Sequence, residues 1–84
     1  MTRFWANGEP IAVVSDANRQ PVLIRWQGRR ECVADVLSRW RVDEDWWRGR
    51  VWREYLLLVT ESGRLLLIYC DLLADRWFIQ RLYD

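Results

Sequence analysis

VWREYLLLVTESGRLLLIYC, residues 51–70, decides the fold. Val51 to Thr60 and Leu65 to Cys70 are apolar runs of strand length, rich in residues that suit a pleated surface. Glu61-Ser62-Gly63 between them is turn chemistry, with Gly63 able to supply the left-handed position. The stretch therefore reads as a β-hairpin. Its two-residue period sets Leu56, Leu58 and Ile68 toward a core. The other faces still carry Leu57, Val59, Leu65 and Leu67, a surplus for a sheet wet on one side. Cover is expected there, from the N-terminal arm or from a partner, and Leu57 and Leu67 are the candidate dimer or partner face.

Outward from the hairpin the chain keeps this rhythm. Asp71 to Arg76 is a turn and Trp77 to Tyr83 a strand, completing a three-strand meander. Upstream, Pro21 to Trp26 alternates as a strand, Gln27-Gly28 is a two-residue turn, and Ile11 to Ser15 is a short β-branched run. Residues 1–9 have no period and read as an irregular arm before a β body of residues 10–84. Residues 31–42 fit two templates. As a strand, Cys32, Ala34, Val36, Trp40 and Val42 share a face; as a helix, Val33, Val36, Leu37 and Trp40 do. A long strand bent or bulged at Ala34-Asp35 is preferred, because the preceding turn requires a returning partner and no N-cap precedes Glu31. Asp43-Glu44-Asp45 then reads as an acidic loop.

The whole predicts one domain, all-β: a small antiparallel SH3-like barrel or strongly curved sheet of five to six strands. Closure also removes the edge hazard of the leucine-rich strands. The expected core is Val22, Ile24, Trp26, Val36, Trp40, Leu56, Leu58, Ile68, Trp77 and Ile79.

Chemistry is poorly provided for. The chain has no His, and its hydroxyls at Thr2, Ser15, Ser38, Thr60 and Ser62 have no neighbouring base in sequence. Cys32 and Cys70 fall on apolar strand faces and read as buried packing thiols. Two Cys without His cannot make a structural zinc site, and no glycine-rich phosphate loop is present. The expectation is a protein that is not an enzyme and holds neither cofactor nor metal. No apolar run suits a signal peptide or a membrane span, so a cytoplasmic location is expected, with no membrane contact.

Binding is better provided for. All thirteen basic residues are Arg, and there are seven Trp. Four of those Trp and five of the Arg lie between Arg39 and Tyr55. Both residue types are favoured where one surface grips another. Trp46 and Trp47 are adjacent, so extended backbone sends them to opposite sides and one must cap the barrel end or lie on the surface. Arg39 and Arg41 share the outward side of their strand. The candidate contact set is Arg39, Arg41, Trp46, Trp47, Arg48, Arg50 and Arg53. A net charge of +1 and the acidic stretch before the Trp pair favour a protein partner. The alternatives are direct single-stranded DNA binding, by Trp stacking and Arg–phosphate contact, and a structural homodimer.

Trp26-Gln27-Gly28-Arg29, Val36 to Arg41 and Trp46-Trp47-Arg48-Gly49 form an ordered series, continued by Glu61-Ser62-Gly63, Tyr69 with Asp71, Arg76-Trp77-Phe78 and Arg81 to Asp84. Over residues 21–84 this series resembles a small bacterial domain family of uncharacterised function. That family is similar to the tail of some catalytically defective Y-family polymerase homologues, and also occurs as stand-alone proteins encoded near translesion polymerase genes. The resemblance implies a role beside DNA repair synthesis and a translesion polymerase-like protein as partner. The chain departs from the family pattern at Cys32, Cys70 and Asp75, and at Leu57 and Leu67, where polar residues are usual.

Overall fold

The computed structural model describes residues 2–47 and 49–83, with Trp46 described by its backbone alone. Six strands account for most of it: β1 (Arg3–Ser15), β2 (Pro21–Trp26), β3 (Arg29–Trp46), β4 (Gly49–Thr60), β5 (Leu65–Asp71) and β6 (Arg76–Tyr83). Each pairs antiparallel with its neighbours in sequence, and β6 pairs back to β1, so the sheet closes into a barrel. The turns are those the residues dictate. Gln27 and Gly28 both take positive φ, 50° and 73°, the combination a tight β2–β3 hairpin requires. Asp75 turns left-handed at φ 54°, as its short polar side chain allows.

The interior is filled by the inward rows. Leu56, Ile68 and Ile79 form one row across β4, β5 and β6, and Leu58, Leu66 and Leu82 the next. Ile24 and Trp26 close the core from β2. Leu66, Leu82 and Tyr69 are buried although absent from the expected core, and Cys70 is buried as its apolar strand face predicts. Trp77 and Val36 are half-buried and pack against the core from its margin.

Four expectations fail, for one physical reason: bulges reset the two-residue period. β3 is a strand throughout, not a helix, but Ala34 and Leu37 each oppose no residue of β4. Val36 therefore faces inward opposite Leu58, while Trp40, four residues on, faces outward opposite Tyr55 and is 41% exposed. Arg39 and Arg41 share a side as expected, but it is the side that continues the barrel interior, opposite Leu56 and Glu54. Val22 is skipped between the pairs Val14–Leu23 and Ser15–Pro21, so Pro21 is buried in its place and Val22 is exposed. Cys32 lies opposite Leu23 on the outer face and is exposed rather than buried. The acidic stretch is a further correction: Asp43, Glu44 and Asp45 are paired strand residues opposite Trp52, Val51 and Arg50.

Residues 3–9 are not an irregular arm but the first half of β1. Arg3 and Phe4 pair with Leu82 and Arg81, then Glu9 to Ile11 pair with Ile79 to Trp77. The segment between arches over the outer face. The Tyr69 hydroxyl donates to the Asn7 carbonyl at 3.1 Å. Gly8, at φ 75°, lies so close that a Cβ there would be 2.5 Å from the Tyr69 oxygen and 2.9 Å from Phe78 Cβ. Trp5 meets Trp26 edge to face at 5.5 Å, and the Trp26 indole N–H donates to Glu9 at 3.0 Å. An apparently patternless stretch is thus anchored by single contacts rather than by period.

Candidate functional site

β4 meets β5 from Arg53 onward, whereas β3 and β4 stay paired to Trp46 and Gly49. The far ends of these strands therefore leave the barrel as a two-stranded ribbon. Its register is regular from Arg39–Leu56 to Trp46–Gly49, which fixes which side chains share a face. Arg39, Arg41, Asp43 and Asp45 stand on one face beside Arg50, Trp52 and Glu54; Trp40, Val42 and Glu44 occupy the other, with Val51, Arg53 and Tyr55.

The charges on the first face are interleaved. Glu54 lies between Arg39 (3.1 Å) and Arg41 (3.5 Å). Arg39 also donates to the Gln20 side chain in the β1–β2 turn at 3.0 Å. Arg50 grips Asp43 through two hydrogen bonds, at 3.0 and 2.9 Å, and its guanidinium sits 4.8 Å over the Trp52 ring. The hydrogen bond from Arg50 holds the Asp43 carboxyl below its ordinary pKa, and the same bond raises that of Arg50. Trp47 stands at the ribbon tip, 86% exposed. Arg48 and the Trp46 side chain lie outside the described residues.

The second face runs into an aromatic ladder that sequence reasoning missed. Trp40 stacks on Tyr55, Tyr55 packs against Tyr69, and Tyr69 stacks on Phe78, with centroids 5.5, 5.2 and 5.1 Å apart across four strands. Arg53 lies over Tyr69 at 4.5 Å and donates to the Tyr55 hydroxyl at 3.3 Å. Burial opposes its charge, but the Tyr55 hydrogen bond and nearby groups outweigh this and raise its pKa. The four aromatics are dispersed in sequence, and only the register, with its bulges, brings them together. Leu57 and Leu67 are direct cross-strand neighbours on the same outer surface, as expected, but both are half-buried.

Where the ribbon joins the barrel, a cleft of about 530 Å³ opens between the β1–β2 and β5–β6 turns. Arg39, Arg41 and Glu54 line it with Cys70, Asp75 and Trp77. Burial, with the carboxylates of Asp75, Glu54 and Asp71 nearby, pushes the Cys70 thiol up to about 11, so it is protonated at neutral pH and a poor nucleophile. Among the described residues no group of three potential metal ligands comes together, and no helix is long and apolar enough to cross a membrane. Comparison with protein families, with curated proteins and with solved structures finds no match to this chain.

Proposed function

We propose that this chain is a non-catalytic, cytoplasmic binding module whose ribbon contacts a protein of the bacterial translesion synthesis machinery. The observation that carries the protein-binding reading is the pairing of three of the ribbon's cations with carboxylates. Arg39 and Arg41 share Glu54, and Arg50 is bound by Asp43. A phosphate backbone would have to displace those carboxylates, whereas nucleic-acid affinity comes largely from cations that neutralise phosphate. A protein surface accommodates mixed charge at its rim and an aromatic anchor such as Trp47 at its centre. The class of partner rests on the resemblance of residues 21–84 alone.

Calorimetric titration tests this with two ligands: the translesion polymerase-like protein of the same bacterium, and a single-stranded oligonucleotide. The expected result is binding to the protein with a modest salt response, weakened by combining Trp47→Ala with Arg50→Ala. Oligonucleotide binding that falls steeply with salt and is abolished by the same substitutions would replace this reading with the nucleic-acid one.

A further inference from the structure

β2 pairs with β3 only from Arg29 to Cys32. Beyond that point the one ladder of β3 is with β4, so its other edge, through Arg39 to Trp46, has no strand partner among the described residues. Such an edge presents a row of backbone donors and acceptors to any extended chain.

The edge has the charge sequence of its own complement. Residues 39–45 read RWRVDED, with two Arg on one side of Val42 and two Asp at the mirrored positions. We propose that two copies of this chain pair edge to edge through β3, antiparallel, with the two Val42 residues on the twofold axis. In that register Arg41 stands opposite Asp43 of the second copy and Arg39 opposite its Asp45. Symmetry repeats both pairs, giving four opposite-charge pairs along the seam. All four residues share one face of the strand, because the ribbon is regular there. A shift of two residues either way leaves two opposite-charge pairs instead of four and sets Arg41 on Arg41 or Asp43 on Asp43, so the charges favour this register over its neighbours.

The intrachain pairs fit the same plan. Glu54 lies beside the Arg pair and Arg50 beside Asp43, so the second copy extends an alternating charge pattern into a four-stranded sheet. The inference goes beyond the adaptor reading, because it concerns the purified chain alone and stands whatever that chain's partner is.

Sedimentation of the purified protein, with Asp43→Arg and Arg41→Asp studied apart and together, tests the proposal. The wild type should be dimeric at micromolar concentration. Each variant should dimerise about ten- to a hundredfold more weakly, since two opposite-charge pairs become two like-charge pairs. An equimolar mixture should recover the dimer, because every altered position then meets the opposite charge. Circular dichroism checks that each variant is folded. An independent readout is Val42→Cys in a Cys32→Ser background. Paired residues on a twofold axis lie about 4.5–5.5 Å apart at Cα, within disulfide reach. Mild oxidation should therefore yield a covalent dimer, and Val51→Cys on β4 should not. A monomeric wild type without this cross-link overturns the proposal, as does a dimer of equal strength in both single variants.

Discussion

β3 and β4 run through both the barrel and the ribbon, yet the two regions are built by different means. Inside the barrel, β4 has a neighbour on each side and places Leu56 and Leu58, both fully buried, against Leu66 and Ile68. In the ribbon the same strand has one neighbour among the described residues and presents Arg50 and Trp52 to solvent-exposed Asp43. A two-stranded hairpin is marginal by itself in water. The ribbon's order is therefore borrowed from the barrel that anchors it. The contrast teaches that the buried segment that stabilises the fold and the exposed segment to which binding is here assigned by proposal follow one another along a single strand, rather than lying on separate elements.

That division makes graded predictions. The largest effect belongs to the core: Leu58→Ala should cost about 3–4 kcal/mol, read from denaturant unfolding. A loss under about 1 kcal/mol would mean that the barrel interior is not where stability resides. Next is the seam between β1 and β6. Gly8→Ala places a Cβ at positive φ against Tyr69 and Phe78 and should cost about 2 kcal/mol. An unchanged melting temperature would show that the arch over the aromatic ladder can move aside freely.

A smaller effect appears at alkaline pH. The Cys70 thiol ionises at about 11 in the fold, against an ordinary 9.0. The folded state thus holds this proton more tightly than the unfolded chain. The associated stability is complete below pH 9 and lost as pH climbs from 9 toward 11. Melting temperature should fall over that range, and fall less in Cys70→Ala. Tyr69, whose pKa burial also raises, keeps part of the slope in place. The smallest effect is expected in the ribbon. Trp47→Ala with Arg50→Ala should change stability by less than about 0.5 kcal/mol while altering what the protein binds. A large loss of stability there would erase the distinction between the two regions.

The antiparallel architecture was legible in the sequence because the β4–β5–β6 meander consists of strand-length apolar runs separated by chemically explicit turns. Leu56, Leu58 and Ile68 fell on the correct face because the β4–β5 ladder is regular, and Ile79 because it precedes the shift that leaves Gln80 unpaired in the β5–β6 ladder. Trp40, Val22 and Cys32 did not, since a bulge changes which face a residue occupies without changing its identity. The seventeen-residue cluster of Trp and Arg was visible as composition, but its pairing was not. Asp43 looked like part of a loop until the register placed it beside Arg50. The aromatic ladder was illegible for the same reason: its members sit on four strands, and each is ordinary where it stands.

The pairing of β1 with β6 bears on how the barrel forms in time. Arg3 lies opposite Leu82, so this ladder joins residues separated by nearly the whole chain. The β4–β5–β6 meander needs only short loops, whereas this seam carries the largest closure entropy in the molecule. Folding should therefore be slow for a chain of this size, limited by the docking of β1 onto a preformed meander. Because the two ends of that seam lie side by side, a short linker between them would turn the most distant contact into a local one. A permutant of that kind, reopened at the Gln27-Gly28 turn, should fold faster than the natural order of strands.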